Sequence, residues 1–216
     1  MKIKILIVLC LTGYNTLAQN EAGAGKERLF SFSPISKDVS IVNGLAFELG
    51  HNFKNEKATV VVNGINLEAN PLTAVIFLAP GVPKADENAS VVVNGLHLST
   101  GGFLGQGSIN GLSISAFNVA VKVRGISVTG LFNSGSLMNG IHIAGLNLET
   151  GKGYGLFIAP FNNGGQINGL QIGAMNRGEV VSGLQIGLLN IAKKTKGLQI
   201  GLWNINNKRS LPFFNW

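Results

Sequence analysis

Residues 182–206 read SGLQIGLLNIAKKTKGLQIGLWNIN, and the motif Gly-Leu-Gln-Ile-Gly begins twice in that stretch, at Gly183 and at Gly197. A glycine followed by leucine or isoleucine, usually after asparagine, serine or lysine, recurs through most of the chain. These pivot glycines are Gly44, Gly64, Gly95, Gly111, Gly125, Gly140, Gly155, Gly169, Gly183 and Gly197. From Gly95 onward they lie 14 to 16 residues apart. A short, nearly fixed interval indicates a stack of copies of one structural unit.

Apolar and polar residues alternate after each pivot glycine. Counting from that glycine, position +1 is always leucine or isoleucine, +3 is always large and apolar, and +2 is mostly polar or small. This alternation is typical of a β-strand with one buried face. It predicts that +1 and +3 point into the core and that +2, occupied by Gln171, Gln185 and Gln199 in the last units, points outward.

Asparagine recurs at two further positions, immediately before the pivot glycine and at +7. The first set is Asn43, Asn63, Asn94, Asn110, Asn139 and Asn168, and the second is Asn118, Asn147, Asn162, Asn176, Asn190 and Asn204. Because asparagine and glycine adopt positive φ more readily than other residues, both positions are interpreted as turns. Identical asparagines stacked above one another can also form a ladder of amide hydrogen bonds.

The repetition predicts an all-β fold, a parallel β-solenoid with coils of about 14 residues. In such a stack equivalent residues lie directly above one another, which favours identical residues at each position. The alternatives are an antiparallel meander and a small β-barrel. In these alternatives successive turns lie at opposite ends of the sheet, so nothing requires the turns to have similar sequences.

The chain opens with two lysines, an apolar run and a small-residue cleavage site at residues 16–18, which is the layout of a secretory signal peptide. The only cysteine, Cys10, lies inside it. The expected organisation is a signal peptide at 1–18, an N-terminal segment or cap at 19–40, irregular units at 41–109 with a projecting loop near 81–89, regular 14–15-residue repeats at 110–207, and a C-terminal cap at 208–216. Phe213, Phe214 and Trp216 are expected to cover the last core layer.

Charge argues against nucleic acid as a partner. Removal of the signal peptide with Lys2 and Lys4 lowers the formal net charge from +7 to +5, which is modest for an exported chain. The apolar run is shorter than the ~20 residues of a membrane-spanning helix, so no such helix is expected in the mature chain. Five basic residues near the C-terminus form a basic edge that either contacts anionic lipid headgroups or acidic polysaccharide or keeps the end soluble. They are Lys193, Lys194, Lys196, Lys208 and Arg209.

No catalytic, cofactor-binding or metal-binding residues are predicted. The histidines are His51, His97 and His142, and the last two are expected on an outward face about 14 Å apart, too far for one metal ion. Glu48 and Glu68 occupy +4 of adjacent units, where paired carboxylates would suit glycan cleavage, but a solvated face is the preferred interpretation.

Two other patterns bear on binding. The glycines of residues 101–107 resemble a phosphate-binding loop only loosely, because no helix and no Lys-Ser/Thr pair follows, and they are interpreted as a flexible turn. The row of glutamines at +2 is either a sugar-binding face or a polar ladder.

The segments GLQIGAMN, GLQIGLLN, GLQIGLWN and KRSLPFFNW resemble the bacterial surface-repeat proteins built from short Gly-Leu-Gln-Ile-Gly-x-x-Asn units. The resemblance covers roughly residues 110–216. It implies an exported bacterial protein located at the cell surface, associated with the outer membrane, or periplasmic. It implies no catalytic residue.

The preferred hypothesis is therefore a non-enzymatic surface repeat protein with a structural, adhesive or interaction role. Its partner would be anionic lipid headgroups, polysaccharide or another surface protein. The alternatives are a small outer-membrane β-barrel protein and a carbohydrate-active solenoid.

Overall fold

The computed structural model describes residues 25–33, 35, 38–50, 59–70 and 89–216. The signal peptide with Cys10, His51 and residues 81–88 of the expected loop lie outside the described residues.

The described chain forms ten strands in one sheet, in the same order as in the sequence. They are β1 (Lys26–Phe32), β2 (Val39–Leu49), β3 (Val60–Ala69), β4 (Val91–Ser99), β5 (Leu104–Ser115), β6 (Asn118–Thr129), β7 (Phe132–Ile143), β8 (Leu146–Ile158), β9 (Phe161–Ile205) and β10 (Ser210–Asn215). The 45 residues of β9 run through successive coils without a break.

Consecutive strands from β1 to β9 pair in parallel. The pivot glycines stay in register, as in the pairs Gly44 with Gly64 and Gly64 with Gly95. The fold is a parallel β-solenoid of about eight turns of about 15 residues each. The predicted fold class is confirmed, and the alternatives, which both need antiparallel neighbours, are not the fold of this chain.

The pivot glycines form a corner that no other residue fits. From Gly64 onward every one of them has a positive φ, between 113° and 153°. A Cβ at these positions would lie 1.9–2.2 Å from the carbonyl oxygen of the preceding pivot glycine. The interpretation of both asparagine positions as turns is wrong, because these asparagines lie within strands. Phe213 is the only non-glycine residue with positive φ in the described part of the chain.

The predicted orientation of the strand faces is also wrong. The +2 side chains point into the lumen of the solenoid and are 0–1% exposed: Ala46, Asn66, His97, Ser113, Ser127, His142, Phe157, Gln171, Gln185 and Gln199. Side chains at +1 and +3 therefore point outward. The physical reason is the limited space inside the solenoid. A coil of about 15 residues encloses a narrow lumen that admits only a few side chains per turn, so the other side chains of each coil must point outward.

The apolar part of the lumen comes from a row that lies two residues before the pivot glycine. Its buried members are 0–1% exposed and are Val42, Val62, Val93, Ile109, Val123, Met138, Ile167 and Val181. Val42, Val62, Val93 and Ile109 belong to one buried cluster, and Met138, Ile167 and Val181 belong to another. Burial of this row contributes about 1.5–3 kcal/mol per fully buried side chain.

Asparagine ladders run along the stack, as predicted. Inside the lumen, the +7 side chains of Asn147, Asn162, Asn176, Asn190 and Asn204 form a chain in which each amide nitrogen donates to the next side-chain oxygen at 2.7–2.9 Å. A second, half-buried ladder links the asparagines before the first pivot glycines. It connects Asn43, Asn63, Asn94 and Asn110 at 2.8–2.9 Å.

Replacement of Asn190 by alanine tests the inner ladder. Its amide donates to Asn204 Oδ1 at 2.7 Å and to the Ile200 carbonyl at 2.9 Å, and its oxygen accepts from Asn176 Nδ2 at 2.8 Å. Since the Asn190 side chain is fully buried and its two ladder bonds are shielded from water, Asn190→Ala is expected to lower the free energy of unfolding by about 1–3 kcal/mol in urea melts. Asn163→Ala, at an exposed position, is the matched control and should change it by less than about 0.5 kcal/mol. Equal effects of the two substitutions would contradict the ladder.

At the C-terminal end, β10 turns back and pairs antiparallel with the last coil of β9. The expectation that aromatic residues cover the last core layer is wrong, because Phe213, Phe214 and Trp216 are exposed. Asn215 is the buried side chain of β10. It accepts a hydrogen bond from Asn206 Nδ2 at 3.2 Å, so the polar lumen ends in another pair of amides.

Candidate functional site

The lumen of the first coils holds two buried carboxyl groups. Glu48 and Glu68 pair in register on adjacent coils, as the sequence predicts, but they are only 5% and 4% exposed. The expectation of a solvated face is therefore wrong. Position +4 alternates with the outward +3 position, so it shares the inward direction of +2. His97 lies on the next coil, with its Nε2 3.7 Å from Glu68 Oε2.

Burial changes the acidity of both carboxyl groups. It raises the pKa of Glu48 from 4.5 to about 7, and the nearby Asn66 side chain offsets part of this increase. Burial also raises the pKa of Glu68 to about 8, with a smaller increase from Glu48 and opposing effects from Ser99 and Asn70. Neither carboxyl group makes a hydrogen bond of ordinary length and angle to these neighbours, which is why burial prevails. In the folded protein both carboxyl groups therefore keep their protons to a higher pH than an exposed glutamate does.

A cavity of about 380 Å³ is lined by Glu48 and Glu68 together with Phe47, Leu67 and Leu98. Glycan cleavage by a carboxyl pair needs one protonated acid and one ionised carboxylate. Here burial raises both pKa values, to about 7 for Glu48 and about 8 for Glu68, so both groups are mostly protonated below pH 7.

The histidines at +2 lie inside the lumen. The expectation that His97 and His142 are exposed is wrong, since both are fully buried. His97 stacks on Phe103 with ring centres 4.5 Å apart, and His142 stacks on Phe157 at 5.2 Å. Burial lowers the pKa of His142 to about 4, so its ring is neutral at physiological pH. Across the described residues, no group of three or more histidine, cysteine, aspartate or glutamate side chains has an arrangement that could hold a metal ion.

The glutamine row at +2 is an internal ladder and is not available to sugars. Gln185 Nε2 donates to Gln171 Oε1 at 2.7 Å, and Gln199 Nε2 donates to Gln185 Oε1 at 2.8 Å. All three side chains are buried. Of the two interpretations left open by the sequence, the structure selects the polar ladder.

The glycines of residues 101–107 belong to a buried coil. Gly101, Gly102, Gly105 and Gly107 are buried. A Cβ at Gly107 would lie 2.1 Å from the Phe103 ring. The segment is therefore shaped by packing around Phe103, and its backbone is not open to a phosphate group.

The outward side of +1 and +3 is the main surface feature of the molecule, and we call it the apolar face. It consists of the +1 and +3 side chains after the ten pivot glycines, and every one of these twenty positions is leucine, isoleucine, valine or phenylalanine. The members that are 36–46% exposed are Phe47, Ile65, Leu112, Ile114, Ile126, Val128, Ile141, Ile143, Ile186 and Leu198. Monomeric soluble proteins rarely expose contiguous apolar patches of more than a few hundred Å², and larger ones mark interaction sites.

The other side of the coil, from +8 to the residue before the pivot glycine, is polar. Its exposed members in the regular coils are Lys122, Arg124, Ser136, Asn139, Lys152, Tyr154, Asn163, Gln166, Asn168, Arg177, Glu179, Lys193, Lys194 and Lys196. The solenoid is thus amphipathic in cross-section, with one apolar and one polar side. The alternation of apolar and polar residues within a strand does not reveal this difference. It becomes visible only when the +1 and +3 positions are compared with the residues from +8 to the one before the pivot glycine.

An apolar groove of about 590 Å³ runs along the C-terminal coils at the border of the apolar face. Its lining comes from the +3, +4 and +5 residues of these coils, which are Ile172, Ile186, Ile200, Gly173, Gly187, Gly201, Ala174, Leu188 and Leu202. Glycine is needed at Gly187 because a Cβ there would lie 2.3 Å from the Gly173 carbonyl oxygen and 2.7 Å from Asn176 Nδ2. Phe213 and Phe214 of β10 line one part of the groove.

The basic C-terminal residues do not form a single free patch. Lys193 forms an ion pair with Glu179 of the preceding coil. Arg209 lies over the Trp216 ring, 4.1 Å from its centre, and donates to the Trp216 carbonyl at 2.9 Å. Lys194, Lys196 and Lys208 are exposed.

A scan against protein-family models, a search of curated proteins and a search of solved structures found no match to this chain. A separate search of the described residues found no helix that is both long and apolar enough to span a membrane. What the structure does show is a β-solenoid repeat protein with asparagine and glutamine ladders.

Proposed function

We propose that this chain is an exported, non-enzymatic repeat protein with a structural or interaction role at a bacterial surface, and that the apolar face is its contact surface. The observation that carries the proposal is the one-sided distribution of exposed side chains. Every +1 and +3 residue is apolar, whereas the opposite side carries lysine, arginine, asparagine and glutamine. A face of this kind is stable in water when it is covered by a partner.

Two further observations support an interaction role. The lumen is filled by stacked amides and valines, which support the outer surface with the same contacts in successive coils. The signal-peptide pattern of residues 1–18 and the resemblance to surface-repeat proteins support export and a surface location. Among the expected partners, another protein surface fits an apolar face better than polysaccharide does, because sugars require hydrogen-bonding groups.

Site-specific photo-crosslinking in the cells that export the chain tests this role. A photoreactive residue at Ile126 or Ile141 lies on the apolar face, and one at Lys122 or Ser136 on the polar side serves as the matched control. Crosslinked products are expected from the two face positions, at least ~10-fold above those from the controls, since contacts form where apolar area is buried. Equal yields from both sides, or none from the face, would overturn the proposed function.

A further inference from the structure

The aromatic residues near the C-terminus do not cover the core, and their exposure calls for another explanation. We propose that the C-terminal end of the solenoid docks on a membrane surface with anionic headgroups, and that the groove beside β10 contacts its acyl chains. Ile126 and Ile141, which test the proposed function, lie several coils before this end. The two proposals can therefore fail separately.

Large apolar side chains are concentrated at this end. Both tryptophans of the chain lie here. Six side chains of the last two coils and β10 are 47–64% exposed, more than the 36–46% of the apolar face, and they are Leu188, Leu202, Trp203, Phe213, Phe214 and Trp216. Tryptophan is enriched where proteins meet the headgroup region of a membrane. The composition of this end is therefore typical of a membrane contact.

Positive charge lies beside the two tryptophans. Trp203 Nε1 donates to Ser210 Oγ at 2.8 Å, and Arg209, the neighbour of Ser210 in the chain, lies over the Trp216 ring. Lys208 precedes Arg209 and is exposed. The last 37 residues of the sequence contain five lysines and arginines and no aspartate or glutamate. Basic residues next to exposed aromatic side chains attract anionic lipid headgroups while the aromatic rings enter the interface.

The groove of about 590 Å³ distinguishes lipid from an acidic polysaccharide, which the same basic residues would also attract. Every residue that lines it is isoleucine, leucine, alanine, glycine or phenylalanine. Sugars need precisely placed hydrogen-bonding groups, whereas an acyl chain needs only apolar contact. The groove therefore favours lipid.

The backbone of β10 exposes two consecutive phenylalanines. Its register with β9 shifts between Leu211 and Phe213, and Phe213 has φ +64°. A bulge changes the direction in which a side chain points. Phe213 and Phe214 are both exposed, and both line the groove. Since glycine would adopt this φ without strain, Phe213 is better explained by what its ring contacts than by the stability of the strand.

Flotation of the full exported chain with vesicles tests the proposal. The wild type is expected to float with vesicles of phosphatidylcholine and phosphatidylglycerol mixed at about 7:3. Binding should fall at least ~10-fold on vesicles of phosphatidylcholine alone, because the attraction to anionic headgroups is then lost. Salt at about 1 M should weaken binding to the mixed vesicles for the same reason.

Phe213→Gly removes a ring from the membrane contact and relieves the positive φ. It should weaken binding to the mixed vesicles about 10-fold, while the melting temperature stays within about 3 °C of the wild type. Phe161→Ser is the matched control. Phe161 is 54% exposed and occupies the same position in its coil as Trp203, three coils earlier. Its replacement should change binding by less than about 2-fold.

A second variant tests the charge without a change in the backbone of β10. Lys208→Glu should weaken binding to the mixed vesicles at least ~5-fold at low salt, because it reverses a charge beside the tryptophans. Lys122→Glu makes the same charge change on the polar side, several coils away. It should change binding by less than about 2-fold.

Four outcomes would overturn the proposal. The first is no flotation with the mixed vesicles, and the second is an equal loss of binding in Phe213→Gly or Lys208→Glu and its control. The third is self-association in sedimentation equilibrium that Phe213→Gly abolishes, without flotation, which would assign this end to a second copy of the chain. The fourth is retention on immobilised alginate that Lys208→Glu abolishes, without flotation, which would assign it to an acidic polysaccharide. Crosslinks from Ile126 and Ile141 decide the proposed function independently of all four.

Discussion

Gly183→Ala is expected to lower the free energy of unfolding by more than about 4 kcal/mol and to leave little folded protein at 37 °C. Gly183 has φ +135°, and a Cβ there would lie 2.1 Å from the carbonyl oxygen of Gly169 on the preceding coil. The strained backbone costs about 1–3 kcal/mol. Relief of the contact requires the two coils to separate, which breaks neighbouring hydrogen bonds at about 0.5–1.5 kcal/mol each.

Gly130→Ala is the matched control. Gly130 is exposed, its φ is not positive, and the nearest atom to an added Cβ is the Ala116 carbonyl oxygen at 3.7 Å. Its stability should stay within about 0.5 kcal/mol of the wild type in urea melts followed by circular dichroism. If Gly183→Ala melted within about 1 kcal/mol of the wild type, the pivot corner would not be a steric requirement of the fold.

The architecture was predictable because the stack imposes identical residues on equivalent positions. Each pivot glycine faces the carbonyl of the one before it, so the requirement for glycine passes from coil to coil. The +7 amides satisfy one another only when the same residue occupies the same position in neighbouring coils, as in Asn176, Asn190 and Asn204. Repetition of this kind indicates parallel stacking without any knowledge of which face is buried.

The orientation of the faces does not follow from the apolar pattern, because apolar residues usually point inward and here they point outward. A signal for the correct orientation was present in the +2 row. The ladder argument that places Asn190 inside applies equally to Gln171, Gln185 and Gln199, which are identical and lie in register. If the +2 side chains point inward, the alternation of a β-strand points the +1 and +3 side chains outward. These apolar side chains then form the apolar face.

The error about the carboxyl groups has the same origin. Glutamate is rarely buried, and this general tendency placed Glu48 and Glu68 on a solvated face. Their position two residues after the inward +2 site gives the opposite result, which the structure confirms. The cavity beside them depends on how outer side chains of several coils meet, and the sequence pattern contains no information on that.

Between pH 5 and pH 9 the stability of the protein is expected to fall as pH rises, mainly because of Glu48 and Glu68. Their folded pKa values of about 7 and about 8 lie above the ordinary value of 4.5, so in this range the folded state holds more protons than the unfolded state. Their contribution is fully present below pH 4.5 and is lost as pH passes through 7 and 8. For Glu48 alone, the shift corresponds to roughly 3 kcal/mol. The larger increase at Glu68 adds to this loss, although the two groups interact and are not additive.

Glu68→Gln should remove at least half of this pH dependence and make the protein more stable than the wild type at pH 9, as measured by thermal melts at fixed ionic strength. Glu179→Gln is the matched control, because Glu179 is exposed. Lys193 lowers the pKa of Glu179, so the contribution of Glu179 to stability changes with pH only below 4.5. His142 has the opposite sign, since its pKa of about 4 makes its contribution complete above pH 6.5 and lost in acid. It therefore cannot account for a loss above neutral pH. Parallel curves for the wild type and Glu68→Gln from pH 5 to pH 9 would show that the buried carboxyl groups do not hold their protons in the folded lumen.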